Sequence, residues 1–251
     1  MLLPRPIVAV LLFASVSLAA TGQERPNTAP QPAQPDAAQP ETEQQMRKRE
    51  ESQRILGVMP MFAVTSRQNA PALTARQKFH LFAKSAFDPF VYAAVGIQAG
   101  ISQSDNQFPG YGQGARGFGK RYGAALGDSV SSNFFSNFFY PVLLKEDPRY
   151  FRRGQGSIKR RIGYALAQEF VAHTDRGGRS FNLANVMGAV SAGGISNLYY
   201  PDSDRGFSLT MSRAGIALIY GSAGGLIDEF WPDINRKLFH KHAKTDPSSA
   251  P

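Results

Sequence analysis

The chain of 251 residues contains no cysteine. This excludes disulfide bonds, thiolate metal ligands, a cysteine nucleophile and the acylated cysteine of a bacterial lipoprotein. Histidine is scarce too, with four residues, and none has the two-histidine spacing of a zinc motif such as H-E-x-x-H. We therefore expect a fold held together by its core, without a metal site and without a cofactor.

Segments of alternating polar and apolar residues are also scarce, whereas helical signals recur along the chain. Thr74 and Gln77 form a capping-box pattern, and Phe79, Phe82 and Ala86 follow at helical spacing. The sequence therefore predicts an all-α fold. It would be a single helical domain over residues 73–242, with about six helices and Gly-rich close-packed helix pairs.

Residues 1–22 have the pattern of a secretory signal. Arg5 precedes an uncharged apolar run, and small residues at 17–19 or at 20–22 fit a cleavage site. The run is shorter than the roughly 20 residues that span a bilayer. We expect an exported protein of the periplasm or cell envelope.

Three further segments differ from the helical domain in composition. Residues 23–53 are rich in proline and glutamine, which predicts a disordered linker. Residues 54–72 contain an apolar stretch interrupted by Pro60, which predicts an extended arm against the core. Residues 243–251 are small and polar, which predicts a disordered tail.

The formal net charge is +9, which favours an anionic membrane surface or an envelope polysaccharide as partner over a cationic one. We do not expect nucleic acid, because the protein would be outside the cytoplasm. The most basic block is "KEDPRYFRRGQGSIKRR" at 145–161. It contains a flexible turn before a helix N-terminus, where free N–H groups favour an anion. The predicted anion-binding residues are Arg149, Arg152, Arg153, Ser157, Lys159 and Arg160.

The helix that follows this turn has an apolar stripe at helical spacing, formed by Ile158, Ile162, Leu166 and Phe170. We expect the stripe to pack on the core, with Lys159, Arg160 and Arg161 on the polar side.

Catalytic signals are weak. "GQGARG" at 112–117 matches a dinucleotide-binding pattern, but no strand precedes it. "HTD" at 173–175 places a histidine beside an acid, so His173 oriented by Asp175 is the one candidate general base. The common reading of such a tripeptide is an ordinary turn.

One block occurs twice, as "SAGGISNLYYPD" at 191–202 and "SAGGLIDEFWPD" at 222–233. In each copy the glycines would let another helix approach, the aromatic residues would add bulk at the helix end, and proline would stop the helix. The predicted structural residues are Gly193, Gly194, Pro201, Gly224, Gly225, Trp231 and Pro232. Whether the hairpin at 183–227 is buried in the core or embedded in a membrane stays open.

Several blocks together, including "LTARQKF", "GYGQGARGFGKRYGAALGD", "YPVLLKEDPRYFRRGQGS" and "EFWPDINRKLF", resemble a family of uncharacterised exported bacterial proteins. The resemblance covers residues 54–242, and "EDPRYFRRG" is its most distinctive part. It implies export and a single domain, and it brings no known activity, cofactor or catalytic residue.

These observations favour a non-enzymatic cell-envelope protein whose basic surface contacts anionic lipid, polysaccharide or a partner protein of the envelope. Two alternatives remain. The first is a periplasmic enzyme acting on an anionic envelope substrate, and the second is a membrane-associated protein with a Gly-rich helical hairpin.

Overall fold

The computed structural model describes the backbone of residues 41–239 and the side chains of residues 41–237. In this part of the chain the fold is all-α, as the sequence predicts, with short strands of two to four residues between the helices. The signal at 1–22, most of the linker and the tail at 243–251 lie outside the described residues. The helices are α1 (Glu43–Glu51), α2 (Ala75–Ala86), α3 (Pro89–Ser104), α4 (Gly114–Phe134), α5 (Tyr140–Leu144), α6 (Ile158–Ala167), α7 (Leu183–Ser196) and α8 (Phe207–Phe239).

The described part of the predicted linker, residues 41–53, is not an unstructured spacer, because it contains α1. Thr42 caps this helix in a capping box with Gln45. Glu50 at its end accepts hydrogen bonds from the Thr65 hydroxyl and the Arg67 guanidinium. These contacts attach α1 to the segment that follows it.

The predicted arm at 54–72 contains short strands that pair with each other and with the helical body. β1 (Arg54–Ile55) pairs with β2 (Met59–Pro60), and β3 (Val64–Thr65) pairs in parallel with β5 (Tyr150–Phe151). The apolar side chains of this segment form a buried cluster with Trp231 of α8 packed against it. The predicted structural residue Trp231 therefore contacts the arm.

A third small sheet has the strand order β4-β6-β7, formed by Glu146–Asp147, Val171–Thr174 and Arg179–Phe181. Both pairings are antiparallel, and Asp147 lies opposite His173. This sheet connects the end of α5 to the start of α7, and it places several acidic and amide side chains near one another.

Between α4 and α5 the helix widens into a π-helical turn at Phe135–Phe139. Proline has no N–H and its ring crowds the carbonyl four residues earlier, so a wider turn before Pro141 relieves the strain. The π-helical turn thus lies within one continuous helical path that runs from α4 to α5.

Only one of the two glycines predicted in each repeat copy lies at a close helix contact, Gly193 of α7 against α8 and Gly225 of α8 against α6. A Cβ at Gly193 would lie 2.6 Å from the Thr210 carbonyl oxygen, and one at Gly225 would lie 3.2 Å from that of Ala165. At Gly194 and Gly224 a Cβ would meet nothing within 4 Å. The prediction that all four glycines permit helix contact is therefore wrong for Gly194 and Gly224.

The two prolines of the repeat also differ. Pro201 lies beyond the end of α7, which stops at Ser196, so the helix ends before the proline is reached. Pro201 packs against Gly110, where a Cβ would lie 2.5 Å from the proline ring. Pro232, in contrast, lies inside α8, which continues to Phe239. The prediction that Pro232 stops the helix is wrong. Arg152 and Arg161 donate to the Glu229 carbonyl oxygen, three residues before the proline.

The helices at 41–239 include none that combines the length and the apolar character needed to cross a membrane.

Candidate functional site

The predicted anion-binding residues divide into an inner and an outer group. Arg149 and Arg152 are buried. The Arg149 guanidinium donates to both carboxylate oxygens of Asp147, with an Nη2–Oδ2 distance of 2.7 Å. Arg152 pairs with Asp233 at 2.9 Å and donates to the Glu229 carbonyl. Because these charges are neutralised inside the protein, the prediction that Arg149 and Arg152 bind an external anion is wrong.

Glu229 is the centre of the inner network, with an exposed fraction of 0%. Its carboxylate accepts hydrogen bonds from Arg161 Nε at 2.6 Å, from the Tyr150 hydroxyl and from the backbone N–H groups of Arg153 and Gly154. Burial opposes ionisation, but these donors hold the pKa of Glu229 below its usual range. The network connects the 150–154 segment and α6 to α8.

The network orients α6 differently from the sequence prediction. Arg161, expected on the polar side, is buried because it pairs with Glu229 and Asp233. The stripe expected to pack on the core is exposed, with 67% of Ile158 accessible. The prediction of a buried stripe is therefore wrong: Ile158, Ile162, Leu166 and Phe170 all lie at the surface.

The outer group consists of exposed cations beside this stripe. Arg153, Lys159 and Arg160 are exposed, as is Arg179 of β7. Within residues 41–237, no carboxylate forms an ion pair with any of these four side chains. We call the four cations and the apolar stripe together the α6 surface.

A shallow pocket lies on the α6 surface and has a volume of about 570 Å³. The guanidinium groups of Arg153 and Arg179 lie 5.6 and 6.0 Å from the centroid of the Tyr164 ring. Gly156 belongs to the turn before α6, and Ser157 occupies the N-cap position without a side-chain capping bond. The pocket is therefore positively charged, with the Tyr164 ring beside both guanidinium groups and the side chains of Gln68 and Gln155 at its edge.

His173 and Asp175, the candidate catalytic pair, do not act on each other. Both oxygens of Asp175 accept hydrogen bonds from the buried Lys78 ammonium, at 2.9 and 2.7 Å. The His173 ring stacks on Phe151 with a centroid distance of 3.8 Å. Burial and then Arg179 lower the pKa of His173. The hypothesis that Asp175 orients His173 is wrong, because Lys78 holds that carboxylate.

A cavity of about 280 Å³ lies among the π-helical turn, the end of α6, the start of α7 and the middle of α8. Its lining includes the carboxyl groups of Glu146, Asp147, Glu169 and Asp228 together with one cation, Arg149. The residues of this cavity come from distant segments, so no local pattern in the sequence indicates it.

Two of these carboxyl groups have raised pKa values. Burial raises the pKa of Asp228 to about 7. Burial also raises the pKa of Glu169, and a hydrogen bond from Asn185 Nδ2 at 2.6 Å offsets part of that shift. Within residues 41–237 no side chain or backbone group donates a hydrogen bond to Asp228. Asp228 therefore lacks the hydrogen-bond donors that stabilise the ionised form of Glu229.

The only sequence signal for Asp228 is the repeat itself. Asp228 takes the position that Asn197 has in the first copy. The acidic residue alone did not distinguish a cavity residue from a solvent-exposed one.

No group of three His, Cys, Asp or Glu side chains in the described part of the chain is arranged to hold a metal ion. No protein-family model, curated protein or solved structure matches the chain. The function is therefore inferred from the geometry of these two regions.

Proposed function

We propose that this protein is a non-enzymatic cell-envelope protein that attaches to an anionic membrane surface through the α6 surface. The observation that carries the proposal is the exposed apolar stripe beside cations that have no described carboxylate partner. A lipid surface offers both an apolar layer and negative head groups, whereas a polysaccharide offers only the charge.

The charge around α6 supports this proposal. Between residues 148 and 201 the only acidic residues are Glu169, which lines the cavity, and Asp175, which pairs with Lys78. Lys159 and Arg160 lie on the outward half of α6, so both can reach head groups while the stripe enters the interface.

The apolar part of the surface extends beyond α6. The backbone N–H of Asn182 donates to the Phe170 carbonyl, which brings Phe181 and Leu183 next to the end of the stripe. Phe181 and Leu183 are also exposed. A contiguous apolar area of this kind is typical of an interaction surface.

The experiment is sedimentation of the purified protein with vesicles of phosphatidylcholine, with and without phosphatidylglycerol. Lys159→Glu with Arg160→Glu removes two cations from the α6 surface. The matched control is Arg116→Glu with Lys120→Glu, two exposed cations of α4. Each cation near an anionic surface contributes about 1 kcal/mol, so we expect the α6 variant to bind anionic vesicles at least about 30-fold more weakly.

Ile162→Ser separates lipid from polysaccharide as the source of the anion. Burial of an isoleucine side chain contributes about 2 kcal/mol, and this part does not depend on salt. Equal losses in the α6 variant and the α4 control would contradict the proposal, since net charge alone would then account for binding. Tight binding of alginate, unaffected by Ile162→Ser, would also contradict it.

A further inference from the structure

The cavity behind α6 contains more negative charge than its own residues neutralise. Asp147 is paired with Arg149, and Glu146 accepts hydrogen bonds from the backbone at the start of α7 and from a serine hydroxyl. Glu169 accepts from one asparagine amide, and Asp228 accepts from no described donor. Glu146, Glu169 and Asp228 therefore have no cation partner among the described residues, and of these Asp228 alone also has no described hydrogen-bond donor.

The positions of these carboxyl groups are set by one side of α8. Gly221, Gly224 and Asp228 all line the cavity, with the spacing of one helix face. The Glu169 carboxylate packs directly over Gly221, where any Cβ would overlap it. Asp228 follows seven residues later, which corresponds to roughly 10 Å along the helix axis. The two carboxyl groups are thus attached at opposite ends of this face.

Between these ends the wall of the cavity is open. A Cβ at Gly224 would meet no atom within 4 Å, so this glycine is not needed for helix packing. The amide side chains of Asn182 and Asn185 also line the cavity. Amide oxygens and carboxylates together accept hydrogen bonds from N–H donors.

The first copy of the repeat has a satisfied side chain where the second has Asp228. Asn197 donates to the Thr210 hydroxyl at 2.9 Å, and its Oδ1 accepts from the Gly206 N–H. Asp228 is half-buried, and partial burial of a carboxylate without a donor is costly, so a ligand that supplies the missing donor would compensate that cost.

We propose that the cavity binds a linear organic dication, a diamine or polyamine, with one ammonium group at Glu169 and the other at Asp228. This function goes beyond membrane attachment, and it uses residues that the α6 surface does not include. Failure of either proposal therefore leaves the other unaffected.

The experiment is titration calorimetry of the purified chain at about pH 8, where Asp228 is largely ionised. The probes are 1,4-diaminobutane, 1,5-diaminopentane and spermidine, with butylamine as the single-charge control. The neutral control is 1,4-butanediol, which has a similar length. We expect the dications to bind, butylamine to bind more weakly, and butanediol not to bind.

Two variants locate the site. Asp228→Asn keeps the shape and removes the charge, and we expect binding about 30-fold weaker or more, as for loss of a hydrogen-bonded charge pair. Gly224→Leu fills the open cavity, and we expect it to abolish binding without unfolding the protein. Gly194→Leu is the matched control, because that glycine also has open space around it but lies outside the cavity.

The proposal is overturned if no amine binds, or if butanediol binds as well as the diamine. It is also overturned if calcium binds and Asp228→Asn abolishes that binding while amines have no effect. Retention of diamine binding in Gly224→Leu would place the ligand elsewhere on the protein.

Discussion

Residues 191–202 and 222–233 share Ser-Ala-Gly-Gly, two aromatic residues and Pro-Asp at the same positions, yet they occupy different environments. The first copy finishes α7 and turns into α8, whereas the second lies within α8. In the first copy the glycine that contacts a neighbouring helix is Gly193; in the second it is Gly225, one position later. The two copies of this sequence therefore contact their neighbouring helices through glycines at different repeat positions.

The residues that follow the glycines also have different environments in the two copies. Leu198 is 77% exposed, while its counterpart Glu229 is 0% exposed and holds the network of arginines. Tyr199 and Tyr200 donate their hydroxyl protons to Asp128, at 2.7 Å each. The same sequence pattern is thus combined with a hydrogen-bond cluster around Asp128 in the first copy and with a buried ion network beside a cavity in the second.

The largest expected difference between the copies is at Glu229 and Leu198. Glu229→Ala leaves the buried Arg161 with Asp233 as its one carboxylate partner and removes the acceptor of two backbone N–H groups, and the expected loss of unfolding free energy is about 3 kcal/mol. Leu198→Ala changes an exposed side chain, with an expected effect within about 0.5 kcal/mol. Urea denaturation of both variants measures the difference. Equal effects would show that the two copies have the same structural role.

Substitutions of the repeat glycines should change stability by smaller amounts and test the same comparison. Gly193→Ala forces a methyl group against the Thr210 carbonyl and should cost about 2 kcal/mol. Gly224→Ala, at the same repeat position, has room for the methyl group and should gain up to about 1 kcal/mol from helix propensity. Thermal unfolding of the two variants gives the sign of each change. If both variants lose stability, the repeat copies pack alike.

The local signals in the sequence predicted the helices well. The capping box at Thr74 and Gln77 is confirmed, because both of its hydrogen bonds are formed at the start of α2. The all-α class follows from the same type of information, since caps and apolar periodicity act over a few residues.

The orientation of α6 could not be predicted in this way. Its apolar stripe indicates burial, but Arg161 pairs with Glu229, 68 residues further along the chain. A buried, hydrogen-bonded ion pair between distant segments has no local signature. The same holds for the cavity, whose carboxyl groups come from β4, the end of α6 and α8.

The prediction that the helix ends at Pro232 is wrong for a related reason. A proline inside a helix usually indicates its end, but α7 ends at Ser196, before Pro201, and α8 continues through Pro232. The arginines that donate to the Glu229 carbonyl, three residues before Pro232, come from segments far away in sequence. Contacts of this kind have no local signature.

The most direct test of this account is the stability of Asp228→Asn as a function of pH. Folding raises the pKa of Asp228 to about 7, so the folded protein binds this proton more tightly than the unfolded chain does. Stability therefore falls as pH rises from about 4 through about 7. The groups around Asp228 in the cavity are Glu146, Asp147, Arg149 and Glu169.

We expect Asp228→Asn to be more stable than the wild type by on the order of 2 kcal/mol at about pH 8, and nearly equal to it at about pH 4. This magnitude is below the full shift because solvent in the cavity screens the charge. Addition of 1,4-diaminobutane at about pH 8 should stabilise the wild type and leave Asp228→Asn unchanged, measured by urea denaturation. A variant that is less stable than the wild type at both pH values, with no effect of the diamine on either, would contradict the account.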